Sequence, residues 1–357
     1  MFPMNDLSKI YKKYQSEYDN TIKEILENSV FLRSKEIKEF ENSFANYLGI
    51  KHCVSVANGS DALEIAIEAL ELPQNSEIIL PANTFVATAE AVSRSGNKPI
   101  FCDCNEDYNI SIEHLKQLIN EKTSAIILVH MFGKPCNIEE IKKVSRNIIL
   151  IEDCAHSHGT EYRNKKTGTF GEIAAFSFNP TKNLSAFGDA GAIATNDESL
   201  SEKCRMIANH GKDKDGNHQF PGRNSKMDSL QAGILNINLN HLEETLSQRI
   251  KNAQIYKKEL ANNPNIILPK EDQNEKHVFH QFVIRTKKRD ELKKYLQKYE
   301  ISTLIHYPKI IPRQNFYKDN KNYKSEEYSK EILSLPIAEH LTENDIKYIA
   351  SKINNFN

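Results

Sequence analysis

The 357-residue chain has almost no excess of either charge, with 47 Lys plus Arg against 48 Asp plus Glu. That balance argues against a nucleic-acid footprint and against a polybasic membrane patch. No apolar run approaches the roughly 20 residues of a membrane span, and the opening MFPMNDLSKIYKKYQSEYDN lacks the apolar core of a signal peptide. A cytoplasmic protein is therefore expected. No Cys-x-x-Cys pair occurs among the six cysteines, Cys53, Cys102, Cys104, Cys136, Cys154 and Cys204. Free thiols are expected rather than disulfides or zinc. Internal repeats and low-complexity linkers are also missing. What remains, with 39% hydrophobic residues, suffices for one large domain and a smaller one.

The apolar pattern alternates between periods of two and of 3.6. Helices are expected over 5–29 and 34–48. Strand-like HCVSVA (52–57), EIILP (77–81), KPIFCDC (98–104), SAIILVH (124–130) and NIILIED (147–153) then alternate with helical segments over 60–70, 84–96, 111–120 and 138–146. Such alternation predicts βαβ units and a mostly parallel sheet covered on both faces. Two more strands, 172–178 and 190–196, follow without a long helix between them. Helices are expected over 198–208 and 227–264. A strand–helix–strand unit is expected over 280–286, 290–300 and 302–308, with closing helices near 325–333 and 341–354. The division expected is a large domain over 1–240 and a small α+β domain over 241–357.

Ligands of parallel α/β sheets sit at the carboxyl ends of strands, and the chemically suggestive residues follow strands here. In NGSDALEIA, Gly59 permits a tight turn, and Ser60 or Asp61 is positioned to cap the next helix. Free N–H groups and a hydroxyl at a helix start suit a phosphate. In PANTFVATAEA, Thr84 is a candidate cap and Phe85 a candidate ring to stack on a planar ligand, although taken alone it reads first as a core residue. In IEDCAHSHGT, Asp153 ends an apolar strand, where a carboxylate needs a cationic partner. Asp153, Cys154, His156 and His158 also raise the question of a metal. That reading would rest on a loop and two histidines spaced i, i+2, so no metal is expected. In FSFNPTKNLSAFGDAGAI, Lys182 lies in an apolar, glycine-rich setting after Ser177. Burial would depress its pKa and make its amine a nucleophile. A phosphate cradle, a stacking ring, a carboxylate for a pyridinium and a lysine for an aldehyde are together the parts that hold pyridoxal 5′-phosphate.

The ordered motifs NGSDALEIAIEAL, ILPANTFVATAEAV, IEDCAHSHGTEY, GTFGEIAAFSFNPTKNLSAFGDAGAIAT, GRNSKMDSLQAGIL and IHYP span almost the whole chain. They resemble the DegT-type sugar aminotransferases, pyridoxal-phosphate enzymes of fold type I. The resemblance implies a large domain with a mostly parallel seven-stranded sheet flanked by helices. It implies that Lys182 bonds to the cofactor aldehyde and shuttles a proton, and that Asp153 pairs with the pyridine nitrogen. Gly59, Ser60 and Ser177 would hold the phosphate, and Phe85 would pack on the ring. Asn224 would reach the phosphate of a neighbouring subunit's cofactor, across a homodimer with shared active sites.

Some positions depart from the family pattern. His156 stands where a Gln usually meets the cofactor's 3-hydroxyl oxygen, while His158 matches the family's His. Lys226 replaces an Arg. After His306 and Tyr307, Pro312 takes the place of a second His, and Lys309 and Arg313 are added as candidate cations for a diphosphate. Relatives that act as 3-dehydratases carry His where Lys182 stands, so transamination is expected. The implied reaction moves an amine from L-glutamate to a nucleotide-linked keto-sugar, at carbon 3 of a 3-keto-6-deoxyhexose, for aminosugar or surface polysaccharide synthesis. The alternatives are a 4-keto-sugar or a keto-inositol acceptor, a non-catalytic protein that binds pyridoxal phosphate, and a metal-dependent hydrolase.

Overall fold

A computed structural model describes residues 2–356. Three helices come first: α1 (Leu7–Lys13), α2 (Gln15–Asn28) and α3 (Lys35–Leu48). The single helix expected over 5–29 is interrupted at Tyr14, whose φ of −120° is not helical. Tertiary contacts hold Tyr14 there: its ring stacks 3.9 Å from that of His241 and its hydroxyl donates to Glu244 at 3.0 Å. In α3, Ile37, Phe40, Phe44 and Leu48 recur at helical spacing and are all buried. Gly49, at φ +77°, ends this helix in the left-handed region.

The alternation then runs as expected: β1 (His52–Val56), α4 (Gly59–Ala69), β2 (Glu77–Pro81), α5 (Val86–Arg94), β3 (Lys98–Cys102), α6 (Ile112–Leu118), β4 (Thr123–Val129), α7 (Ile138–Ser145) and β5 (Ile149–Asp153). A short hairpin, β6 (Glu161–Tyr162) and β7 (Lys165–Lys166), precedes β8 (Ile173–Ser177) and β9 (Gly191–Thr195). The seven long strands form one sheet in the order β1-β9-β8-β5-β4-β2-β3. Only β9 runs against its neighbours, pairing antiparallel with both β1 and β8. Successive side chains on these strands point to opposite faces. Ile78, Leu80, Ala125, Ile127 and Val129 join the core on one face, and Ile79, Ile126, Leu128 and Leu150 the core on the other.

Three helices follow: α8 (Glu198–Ile207), α9 (Ser229–Asn240) and α10 (Leu242–Leu260). The long helix expected over 227–264 divides at His241, the partner of the Tyr14 ring. Beyond it come β10 (Glu275–Lys276), β11 (Phe282–Arg285), α11 (Arg289–Gln297), α12 (Lys324–Glu331), β12 (Ile332–Leu335) and α13 (Glu343–Asn354). The expected strand over 302–308 does not form. Only Leu304 bridges to Ser334, and the chain turns at Tyr307, whose φ is +59°. The strand that pairs with β11 is β12, expected as the end of a helix. Tyr256, Phe279, Phe282, Leu292, Leu296, Leu335, Ile346 and Ile349 pack together around this pair. No helix among the described residues is long and apolar enough to cross a membrane.

Candidate active site

The carboxyl end of β5 delivers Asp153 to a dry environment, 5% exposed. Its carboxylate accepts hydrogen bonds from the Thr88 hydroxyl at 3.0 Å and the Ala155 backbone N–H at 3.1 Å. Burial raises its pKa, and these two donors and the charge of Lys182 only partly offset that. Among the described residues no side-chain cation hydrogen-bonds or ion-pairs with it. Lys182 lies in the β8–β9 connection, where its backbone N–H closes a turn onto the Asn179 carbonyl at 2.8 Å. Its amine has no hydrogen-bond partner among the described residues, and burial lowers its pKa to about 8 against the opposing pull of Asp153. The charges of the two residues singled out in sequence thus act on each other, with no hydrogen bond or ion pair between them.

Beside them, the start of α4 meets the end of β8. Asn58, rather than Ser60 or Asp61, caps this helix, its side chain accepting from the Asp61 N–H at 2.8 Å. That leaves the Ser60 hydroxyl free of the capping task. Gly59 is pressed on Ser177: a Cβ there would lie 2.5 Å from the Ser177 Cβ. Only glycine permits that approach. Thr84 does not cap α5 either, since its hydroxyl pairs with that of Thr88 at 3.1 Å. Phe85 is 56% exposed, with its ring centre 6.4 Å from that of Tyr307.

Imidazoles crowd the other side. His156 is buried; its Nε2 lies 3.3 Å from the Tyr307 hydroxyl, and its Nδ1 has no partner among the described residues. Its ring sits 4.5 Å from that of His280 and lies parallel to the Phe132 ring at 6.3 Å. Burial, then the nearby Lys182 charge, pushes the His156 pKa well below the usual value. Burial and Lys182 likewise lower His306 to about 4 and His158 to about 3. The site is therefore lined by neutral rings. His306 pairs through Nδ1 with the Ser334 hydroxyl at 2.7 Å, which uses β12 to fix it. His280 holds Asn183 Oδ1 at 3.1 Å, in the residue that follows Lys182.

Against the family profiles, residues 12–354 match the one described as the DegT/DnrJ/EryC1/StrS aminotransferase family. The chain belongs to this family. It is 37% identical to the dTDP-3-amino-3,6-dideoxy-alpha-D-galactopyranose transaminase of Aneurinibacillus thermoaerophilus, over 100% of this chain and 99% of that one. It is 38% identical to a "Pleiotropic regulatory protein" of Geobacillus stearothermophilus, over 99% and 98%. Among solved structures it is similar to Streptomyces venezuelae DesV, crystallised in complex with a ketimine intermediate: TM-score 0.96, 33% identity, 99% of this chain and 98% of that one. It is also similar to NtdA of Bacillus subtilis with bound cofactor PMP: TM-score 0.88, 29% identity, 96% and 82% covered.

This DegT-family chain is a pyridoxal-phosphate-dependent aminotransferase. The residues present suit the cofactor. A buried carboxylate without a cation, a lysine amine without a partner, a glycine-lined cradle at a helix start and an unpartnered buried His156 Nδ1 all converge. Other expected site residues lie elsewhere or are engaged. Asn224 is exposed and pairs with the Lys226 ammonium. Lys309 is exposed. Arg313, the other candidate cation for a diphosphate, is engaged within the chain: its guanidinium binds Glu326 at 2.8 Å, the Lys321 carbonyl at 2.7 Å and the Asp319 carbonyl at 2.9 Å. Those bonds close the loop before α12.

Sequence reading missed Thr88, Asn183 and His280. Thr88 follows Thr84 by one helical turn, and Asn183 adjoins Lys182, so proximity could have flagged both. His280 gave no signal beyond its place at the start of an expected strand.

One ligand-like cluster does form, His130, Glu152 and Cys154. Two of its three members, His130 and Glu152, are already engaged. His130 Nδ1 accepts from the Cys136 N–H at 3.1 Å, so Nε2 carries the proton and donates to Glu152 at 2.9 Å. Glu152 also accepts the N–H groups of Gly168, Phe170 and Gly171 at 2.6–2.8 Å.

Proposed function

We propose that this aminotransferase moves the amino group of L-glutamate to a nucleotide-diphosphate-linked keto-sugar, at carbon 3 of a 3-keto-6-deoxyhexose. The observation that carries the chemistry is the isolated pair of Lys182, with its pKa lowered to about 8, and Asp153, buried without a cation. The acceptor rests on relatives: the Aneurinibacillus protein is named for a dTDP-3-amino-3,6-dideoxy sugar. Retention of both Lys182 and Asp153 favours catalysis over a purely regulatory role.

Pyridoxal phosphate, when bound, supplies an aldehyde carbon that bonds to amines and a ring that takes up electrons. The chain's residues do the rest. Asp153, oriented by Thr88 and Ala155, would hold the proton on the pyridine nitrogen. Gly59, Ser60 and Ser177 would receive the phosphate at the start of α4. Lys182 would anchor the aldehyde between turnovers and, once released, take a proton from the substrate carbon and return it. A pKa near the working pH suits both directions of that transfer. His156 would present its unpartnered Nδ1 to the cofactor's hydroxyl while Tyr307 holds Nε2. Phe85 would cover the ring from the exposed side. His306, Tyr307 and Lys309 would face the sugar nucleotide. Exposed Asn224 would complete the phosphate site of a second subunit in a cytoplasmic homodimer.

Purified Lys182→Ala should lose turnover and should not retain cofactor after borohydride reduction. Turnover together with covalently trapped cofactor in that variant would sink the assignment. A panel of nucleotide-linked 3-keto-sugars, 4-keto-sugars and a keto-inositol, each with glutamate, tests the acceptor. Preference for a 4-keto-sugar or the keto-inositol would replace it.

A further inference from the structure

His280, which precedes β11, is held from several sides. Its backbone crosses the loop after β4 at Gly133, where a Cβ would lie 2.8 Å from the His280 nitrogen and 2.9 Å from a Val278 methyl. Only glycine permits that approach, and its φ of +92° favours glycine as well. The crossing is fastened by the Val278 and Gln281 N–H groups, which donate to the Gly133 and Phe132 carbonyls at 3.2 and 3.3 Å. Phe132 and Phe279, on the two sides of the crossing, have φ of +57° and +47°. Left-handed backbone is costly for such bulky residues and persists only where the surroundings dictate it. From α10, the buried Arg249 guanidinium adds bonds to the Phe279 and His280 carbonyls at 3.4 and 3.3 Å.

This scaffold delivers one side chain. The buried His280 ring reaches Asn183 Oδ1 at 3.1 Å across 97 residues of sequence. The Asn183 Nδ2 has no partner, so this is the amide's one hydrogen bond among the described residues. Burial first, then nearby His156 and Lys182, push the His280 pKa well below the usual value, so the ring is neutral. An amide oxygen only accepts, so the single ring proton sits on Nδ1 and is donated to Asn183. Nε2 is left as an acceptor, and Gln281 Nε2 lies 3.5 Å from it.

Asn183 directly follows Lys182, whose own restraints are few. The Lys182 N–H closes onto the Asn179 carbonyl at 2.8 Å, and its amine has no hydrogen-bond partner among the described residues. On its other side Thr181 is exposed, and the Thr181 carbonyl meets the Asn5 amide at 3.5 Å. The buried hold next to Lys182 comes from His280.

We propose that His280 is a positioning residue of the reaction: by donating to Asn183 it fixes the turn that carries Lys182, so that the released amine returns to one place. This rests on the reading of Lys182 as the residue that anchors the aldehyde and moves the proton.

The test compares His280→Phe, which keeps a ring but loses the donor, with His280→Asn, which loses the ring but presents an N–H near the place of Nδ1. The holoenzyme is mixed with L-glutamate and followed by stopped-flow absorbance. In His280→Phe the maximal rate should fall about 10–100-fold while the half-saturating glutamate concentration stays within about twofold, because a misplaced amine costs rate rather than binding. In cofactor-free His280→Phe, the pH midpoint for capture of pyridoxal phosphate should rise from about 8, as a loosened lysine gains solvent. His280→Asn should restore the midpoint and recover most of the lost rate. Asn183→Ala cuts the same bond from the other end and takes the place of His280→Phe should that variant fail to fold. The two changes together should cost no more than either alone. Lys182→Ala, run alongside, separates this inference from the reading beneath it: if that variant still traps cofactor on borohydride reduction, the reading of Lys182 falls and this inference with it. With Lys182 upheld, an unchanged rate and midpoint in His280→Phe, equal losses in His280→Phe and His280→Asn, or losses that add with Asn183→Ala would overturn the positioning role alone.

Discussion

Two carboxylates stand side by side at the carboxyl end of β5 and face opposite sides of the sheet. Glu152 is fully buried, yet its pKa is lowered. Burial alone would raise it, but the His130 hydrogen bond and the backbone N–H groups of Gly168 and Gly171 outweigh that. Asp153 is nearly as buried and its pKa is raised, because one hydroxyl and one N–H do not suffice. The first carboxylate is complete within the protein, and the second is left short of a cation. A buried acid thus marks a site when its donors run out, and a structural joint when they do not.

Swapping each carboxylate for alanine should break the two faces in different ways. Asp153→Ala should lower transaminase turnover by at least about 10²-fold with little loss of Tm. Glu152→Ala strands His130 and three N–H groups and should destabilise the fold by about 3–5 kcal/mol, seen in denaturant unfolding. Equal loss of stability in both would erase the distinction.

Amide replacements sharpen it further, because their signs should oppose. At pH 7 the cofactor-free fold bears the penalty of ionising Asp153, whose folded pKa is raised, so Asp153→Asn should raise its Tm. Glu152 contributes stability above its unfolded pKa that is lost as pH falls through its lowered folded value. Glu152→Gln should therefore cost about 1–3 kcal/mol at pH 7 and flatten the acid side of the stability profile.

Lys182 reports on the same contrast. With its pKa lowered to about 8, the rate at which cofactor-free protein captures pyridoxal phosphate should rise with pH and level off above about 8. Stopped-flow absorbance over pH 6–10 would show it. Asp153→Asn removes the charge that holds the ammonium up, so the midpoint should fall, while Glu152→Gln should leave it in place. The smallest effect expected is that of Thr88→Val, which removes one donor to Asp153 and should lower turnover a few-fold with the fold intact.

Lys182 and Asp153 were legible in the sequence because strands that alternate with helices announce where their carboxyl ends lie. The cradle was legible through Gly59, although Asn58 and not Ser60 proved to be the cap. Glu152 was passed over: a Glu in an apolar strand carries no sign of the His130 and N–H groups that satisfy it from distant segments. β12 was misjudged for a related reason. Ile332–Leu335 continues the apolar spacing of α12, and only its pairing with β11, about 50 residues earlier, makes it a strand. Arg313 stood as a candidate cation for the substrate since its partners, Asp319 in the preceding loop and Glu326 in the first turn of α12, come together by a loop closure that no periodicity predicts.

The antiparallel strand β9 sets a schedule for synthesis. β1 leads into the Gly59 turn, but in the sheet its only neighbour is β9, whose Thr195 pairs with His52 about 140 residues earlier. At about 5–20 residues per second, a ribosome needs roughly 7–30 s to supply that partner. Until then β1 presents an unpaired edge, which invites pairing with another chain. Within the seven-stranded sheet, the segment that fits Gly59 against Ser177 is thus among the last to be locked, and that interval exposes crowded nascent chains to misassembly.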